Sequence, residues 1–335
     1  MTAPERMRTE VLPFNPAAIA RAVVLLQSGS VVAIPTETVY GLAARADDSA
    51  AVRRIFEAKG RPSTNPLIVH VADIDAAKAL ALEFPPAAER LADAFWPGPL
   101  TLVLKRRAGM VAEEVVAGGQ TVAVRVPASP ATRVLLEATR LPLAAPSANR
   151  SMSISPTTAE HVVKSLAGRI PLVIDAGPCS HGIESTIVDV TREPAVLLRP
   201  GAVSLDALNA VAPVVDPGAI VVSRDERAPS PGTSQRHYAP RASLRLVEPA
   251  VFLDELEKRR AEGALVGAIS FMPEHSREAT VEFLGSEPEA YAAGLYAALH
   301  RLDDAGCREI LVAEPPRTSR WRAVRDRLRR AAASE

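Results

Sequence analysis

Cysteine is nearly absent: the 335 residues hold two, Cys179 and Cys307. Two thiols so far apart build neither a disulfide framework nor a cysteine metal cluster, and they fit a reducing compartment. Net charge is absent too, with 39 Lys+Arg against 39 Asp+Glu. Sequence-independent nucleic-acid affinity rests on neutralising phosphates, so this balance argues against stable nucleic-acid binding. Long apolar runs are also missing. The most hydrophobic early stretch, Ala17 to Pro35, is broken by Arg21, Gln27 and Gly29, and nothing approaches the ~20 apolar residues that span a bilayer. The opening MTAPERMRTEVLPFNP mixes charge with proline and has no leader-like apolar core. The expectation is a soluble cytoplasmic protein with no membrane partner. What is present is 47% hydrophobic residues, over a length that accommodates two domains with real cores.

From Pro16 to about Ala212 helical and strand-like segments interleave. Helices are expected over Ala17–Gln27, Ala50–Ala58, Ala87–Phe95 and Ala131–Ala138. Strands are expected over Val31–Pro35, Leu67–Val71, Leu100–Lys105, Thr121–Val126, Leu143–Ala145, Pro171–Asp175, Ser185–Asp189 and Ala195–Leu198. Ser155 before Pro156 reads as a helix N-cap. The pattern predicts an α/β fold with a mixed sheet. Residues 213–241 are proline-rich and read as a linker or lid. Beyond them, strands over Leu244–Val247, Ala264–Ser270 and Glu309–Ala313 alternate with helices over Ala250–Glu262, Glu287–Ala305 and Arg320–Ala332. This predicts a small doubly wound, Rossmann-like domain. The arginines of 320–330 read as a solvated helix face, with an RNA or partner contact as the alternative.

Four segments could carry chemistry. Pro35-Thr36-Glu37-Thr38-Val39-Tyr40-Gly41-Leu42 follows a buried strand, where α/β proteins bind ligands; the bland alternative is a strand-to-helix turn. Lys59-Gly60-Arg61, at a helix end before Asn65-Pro66, suits anion capture by a point charge and a planar fork; C-capping is the alternative. It is not a Walker loop. His70 closes the following strand and, alone, reads as structural. Ala145-Pro146-Ser147-Ala148-Asn149 sets small polar groups at another strand end, and without a G-x-S-x-G elbow Ser147 is not a hydrolase nucleophile. Glu184-Ser185-Thr186 opens a strand that leads to Arg199-Pro200-Gly201. Within the linker, His237 and Tyr238 suit a lid over a charged ligand.

In this order these pieces resemble the Sua5/YrdC family of threonylcarbamoyl-AMP synthases. The matching residues are PTETVYGL (35–42), KGRPSTNP (59–66), WPGPLT (96–101), VAVRVP (122–127), APSAN (145–149), SPTTAEH (155–161), EST (184–186), LRPG (198–201) and HYAP (237–240). The extra domain resembles the long, Sua5-type member. The resemblance implies a YrdC-like catalytic domain over 1–212, a twisted mixed sheet with an open concave cleft. It implies a linker or lid over 213–241 and a Sua5-type α/β domain over 242–335. The implied reaction joins L-threonine, bicarbonate and ATP into threonylcarbamoyl-AMP and pyrophosphate. The implied recipient is a t6A-transfer complex of the TsaD/Kae1 type that modifies adenosine 37 of tRNA. Carried over by position, Lys59 and Arg61 are the catalytic anion-binding residues. ATP contacts fall to Arg61, Asn65, Thr121, Ser147, Asn149, Ser155, Arg199, His237 and Tyr238. The threonine site falls to Thr38, His70, Arg125, Ala145 and Ser185, with Arg125 forking the carboxylate. No carboxylate cluster suggests a dedicated metal, so Mg²⁺ is expected on the triphosphate. The chain departs from the family at Arg150-Ser151-Met152, usually Leu-Ser-Gly, and at Thr233-Ser234-Gln235 in the linker.

Three other functions fit parts of the pattern. An RNA-binding module would show steep salt dependence. A carbamoyltransferase of the related kind would need further domains for which this chain has no room. A sensor would bind threonine or nucleotide without turnover.

Overall fold

The computed structural model describes residues 7–218, 238–278 and 280–333. The larger sheet has strands β1 (Glu10–Pro13), β2 (Val32–Ile34), β3 (Gly41–Arg45), β4 (Ile68–His70), β5 (Leu100–Lys105), β6 (Thr121–Arg125), β7 (Leu143–Ala144), β8 (Leu172–Asp175), β9 (Thr186–Asp189), β10 (Ala195–Arg199) and β11 (Val214–Val215). They lie in the order β1-β8-β2-β3-β7-β4-β6-β5-β9-β10-β11, with parallel and antiparallel neighbours mixed. The helices of this part are α1 (Pro16–Gln27), α2 (Ser49–Lys59), α3 (Ile74–Leu80), α4 (Pro86–Phe95), α5 (Pro130–Thr139), α6 (Ala159–Leu166) and α7 (Leu205–Asn209).

Strand side chains alternate between faces, so each strand feeds two cores. Val32 and Ile34 pack with Ile19, Leu26, Leu135 and Leu136 of α1 and α5. Ala33 and Val173 face the other way, into the larger core with Val52, Ile55, Leu91 and Val162 of α2, α4 and α6.

The second sheet has β12 (Ser243–Val247), β13 (Val266–Ser270), β14 (Glu282–Phe283) and β15 (Glu309–Ala313), all parallel, in the order β12-β15-β13-β14. Helix α8 (Phe252–Ala261) covers one face through Phe252 and Leu256 against Leu311 and Ala313. Helices α9 (Pro288–Asp304) and α10 (Arg322–Ala332) cover the other through Leu295, Leu299 and Leu328 against Ile310 and Val312. This is the doubly wound arrangement expected from the alternation. Its core continues into the first unit, because Val39, Ile154 and Ile183 belong to the same cluster as Leu295 and Tyr296.

Two expectations and one alternative reading are corrected. Thr158, not Ser155, caps α6, its hydroxyl accepting from the His161 amide at 3.3 Å. Ser155 is fully buried and turned to Glu184 instead. The Pro35–Leu42 segment joins strand to strand, β2 to β3, through an antiparallel pair. The C-terminal arginines are not all solvated: Arg327 is 1% exposed and Arg330 6%.

Candidate functional site

Several chain segments reach one edge of the large sheet. Strands β4 and β6 run parallel with His70 beside Arg125 at their carboxyl ends. Strand β5, antiparallel to β6, begins at that edge, and β9 starts next to it, Thr186 facing Leu100. Strand β10 runs back to finish there at Arg199. The cleft so formed is lined by Thr36, Thr38, Arg61, His70, Arg125, Ala145, Ser147, Glu184, Ser185, Arg199 and Tyr238 among others.

Helix α2 brings two cations to this edge. Asp48 caps its start, accepting from the amides of Ala50 and Ala51 at 2.8 and 3.2 Å. Gly60 ends it at φ +61°, the left-handed turn that glycine takes without a Cβ penalty. Lys59 Nζ then donates to Ser147 O at 2.5 Å, to Asn149 O at 2.6 Å and to Asn149 Oδ1 at 3.2 Å. An ammonium has three donors, and all three go to the 147–149 loop. Burial, with the Arg61 charge nearby, holds the Lys59 pKa well below the usual lysine range. Lys59 therefore braces the cleft wall from behind.

Arg61 lines the cleft, with Nε on Asn65 O at 3.3 Å and Nη2 on Pro66 O at 3.0 Å. Burial lowers its pKa to about 10, which leaves it cationic at neutral pH. Asn65 lies outside the lining, and its Oδ1 is buried without a hydrogen bond among the described residues.

On the other side, Arg125 gives Nε to Gly98 O at 3.1 Å, Nη1 to Thr38 Oγ1 at 2.9 Å and Nη2 to Glu37 Oε1 at 2.6 Å. Burial raises the Glu37 pKa, but the charge and hydrogen bond of Arg125 outweigh it and hold the carboxyl below its ordinary value. Burial and the Arg125 charge push His70 down to about 3, so its ring is neutral. Its Nδ1 makes no hydrogen bond among the described residues. Ser185 Oγ pairs with Thr101 Oγ1 at 2.8 Å, and Arg199 forks onto Ser185 O through Nε at 3.1 Å and Nη2 at 3.0 Å.

The expected threonine group, Thr38, His70, Arg125, Ala145 and Ser185, is thus gathered in one cleft, as are Arg61, Ser147, Arg199 and Tyr238 of the expected ATP group. Asn149 and Ser155 sit directly behind it, hydrogen-bonded to the lining residues Ser147 and Glu184. Thr121 does not join them. It starts β6 opposite Lys105, four residues from Arg125, or about 13 Å along a strand. His237 lies outside the described residues. Met152 has a left-handed φ of +73°, and its carbonyl accepts from Ala239 N at 3.1 Å.

Sequence reading did not assign Thr36, Glu37 or Glu184 a role. Their signal was there: a carboxylate beside an apolar strand needs a partner once buried. It also missed the partners of Glu184 from the C-terminal unit, Arg327 on α10 and Tyr296 on α9.

Two family models account for nearly all of the chain. The Sua5/YciO/YrdC model, described as "Telomere recombination", matches residues 24–201, and "Threonylcarbamoyl-AMP synthase, C-terminal domain" matches 203–333. The chain belongs to the Sua5/YciO/YrdC family. Within that family it is 43% identical over 314 residues to a Pyrococcus abyssi threonylcarbamoyl-AMP synthase, covering 91% of each chain. It is 40% identical over 333 residues to the Bacillus subtilis threonylcarbamoyl-AMP synthase, covering 97% of this chain and 95% of that one. The structure of P. abyssi Sua5 complexed with L-threonine superposes with a TM-score of 0.88, at 40% identity and 97% coverage of both chains. Both sheets of the fold are therefore shared with that structure. No helix among the described residues is long and apolar enough to cross a membrane.

Proposed function

We infer that the chain is a threonylcarbamoyl-AMP synthase, an enzyme joining L-threonine, bicarbonate and ATP into threonylcarbamoyl-AMP and pyrophosphate. The observation that carries the reading is the cleft itself: Arg61, Arg125 and Arg199 line one cavity together with hydroxyls and a neutral imidazole. The threonine amine adds to bicarbonate, water leaves, and the carbamate oxygen attacks the α-phosphorus as pyrophosphate departs. Each encounter brings anions together, and fixed cations in a partly dry cleft offset that repulsion. Arg61 and Arg199 would face the phosphates, with Lys59 and Asn149 holding the Ser147 loop in place. Arg125, with Thr38, His70, Ser185 and the Ala145 backbone, would hold the amino acid.

The described residues do not offer a resident metal site. Glu37 is tied to Arg125 and Glu184 to Arg327, and the described residues contain no group of three metal-ligating side chains. Mg²⁺ would arrive on the triphosphate and screen its charge. The catalytic unit would be residues 1–212, the lid 213–241 and the C-terminal unit 242–335. Acting in the cytoplasm, the enzyme would pass its product to a TsaD/Kae1-type complex for tRNA t6A formation. The test is pyrophosphate release from ATP by the full chain. Release that depends on both threonine and bicarbonate, and is weak with serine, supports the reading. No dependence on threonine sinks it.

A further inference from the structure

The wall of the cleft contains a carboxylate that the reaction, as read above, does not want. Glu184 lines the cavity beside Ser185, to which Arg199 is forked. An anion there, left bare, repels phosphate and competes with it for Arg199. It is not bare. Arg327 Nε, from α10, donates to Glu184 Oε2 at 2.7 Å, and the Tyr296 hydroxyl, from α9, donates to the same oxygen at 3.0 Å. Ser155 Oγ donates to Oε1 at 2.5 Å. Arg327 is 1% exposed and makes a second ion pair with its neighbour Asp326 at 2.7 Å. Its guanidinium also lies 5.1 Å from the ring centre of Tyr238, another lining residue, whose own ring stacks on Tyr296. Burying a guanidinium so completely is costly unless it is paired. The C-terminal unit thus reaches the cleft through one cation and one hydroxyl, both aimed at one carboxylate.

We propose that Arg327 is a positioning residue of the adenylation site: it neutralises Glu184, so that this carboxylate neither draws Arg199 off the nucleotide nor repels the triphosphate, and it seats Tyr238. The proposal deepens the synthase reading and rests on it. It gives the C-terminal unit a defined part in nucleotide binding, distinct from threonine binding, which falls chiefly to Arg125, Thr38 and His70.

The experiment is steady-state pyrophosphate release by the full chain, with ATP and threonine varied in turn. Threonine-dependent turnover by the unaltered chain tests the synthase reading first, and separately. Arg327→Met then raises KM for ATP by about tenfold or more, because one partner of a buried pair is removed, and leaves KM for threonine within about twofold. Arg327→Lys keeps the charge and recovers most of the ATP affinity. The deciding variant is the double one, Arg327→Met with Glu184→Gln. Removing the stranded carboxylate brings the ATP KM back toward that of the unaltered chain, which a merely structural role for Arg327 would not do. Should Arg327→Met not fold, Tyr296→Phe takes away a single oxygen and raises the ATP KM by about two- to threefold. ATP and threonine KM values rising together, or a double variant worse than the single one, overturn the proposal. So does a Tyr296→Phe chain with an unchanged ATP KM.

Discussion

Arg125 and Glu37 form a buried ion pair, 2.6 Å between Nη2 and Oε1, on the side of the cleft where the amino acid is expected. The pair fixes the plane of the guanidinium, with Gly98 O and Thr38 Oγ1 taking its other edges. Arg125→Ala strands the Glu37 carboxylate, and a half-broken buried pair costs about 3–5 kcal/mol. Denaturant melts should show that loss. Arg125→Lys keeps a cation but not the fork, so KM for threonine should rise by about tenfold while KM for ATP moves little. An Arg125→Lys enzyme with an unaltered threonine KM would falsify the assignment of this arginine to the amino acid.

Much of this was legible in the sequence because motifs and strand ends coincide. Leu100–Lys105 is a strand with the expected bounds, and α2 ends one residue beyond the expected Ala58. The segments quoted at strand ends do line one cleft, since parallel neighbours such as β4 and β6 finish at the same edge. Other features were not legible, for a physical reason. Arg327 and Glu184 are 143 positions apart, and an arginine-rich helix reads as solvated until its tertiary partner is known. Ser155 before Pro156 has cap chemistry, but Thr158 satisfies the helix amide and frees Ser155 for Glu184. Strand β3 was missed because the short run Gly41–Arg45, with one glycine and two alanines and no β-branched or aromatic residue, carries little β propensity.

Lys59 and Arg61 should separate when mutated, although sequence alone treats them as one polar helix end. Lys59→Met strips three hydrogen bonds from the 147–149 loop, and unsatisfied buried acceptors cost about 1–3 kcal/mol. Both stability and turnover should fall. Arg61→Gln loses bonds to two carbonyls of its own loop and a charge facing the cleft. Its melting behaviour should change by less than about 1 kcal/mol, while turnover drops by about a hundredfold. Thermal unfolding beside pyrophosphate release distinguishes the two. Equal destabilisation by both would remove the division between brace and anion site.

Stability should fall on acidification because several histidines fold in their neutral form. His161 and His300 stack with ring centres 3.8 Å apart, joining α6 to α9, and His300 Nε2 lies 3.2 Å from Ser155 O. Glu160, Lys164, Arg301 and Asp304 surround the pair. Burial, then the charge of its stacked partner, pushes His300 down to about 3; burial lowers His161; burial and Arg125 take His70 to about 3. Depressed folded values mean that only the unfolded chain takes up these protons as pH drops below 6.5, so stability rises with pH across that window. Each of His70 and His300 should withdraw about 1.4 kcal/mol per pH unit. Urea unfolding at pH 7.5 and pH 5 should differ by about 4 kcal/mol from these two residues alone. In His300→Gln the slope should be shallower by one histidine's share. A stability that stays level over that range rules the neutral-histidine account out.

Gly182 sets how closely the two units meet. Its φ is +69°, and a Cβ built there would lie 2.5 Å from Ala292 O and 2.6 Å from Ala293 Cα, both backbone atoms of α9. Backbone cannot yield as a side-chain tip does, so α9 would have to move. Tyr296 sits one turn along that helix, with its hydroxyl on Glu184, two residues from the glycine itself. Gly182→Ala should therefore act twice. The left-handed φ costs about 1 kcal/mol, and the clash adds about 1–3 kcal/mol of strain. Shifting α9 also loosens the hold on Glu184, so KM for ATP should rise while KM for threonine stays near its starting value. Gly118→Ala supplies the control, since its φ is +69° and no atom lies within 4 Å of the added Cβ; it should show the conformational cost alone. If Gly182→Ala matches Gly118→Ala in both stability and ATP affinity, α9 does not set the geometry of the cleft.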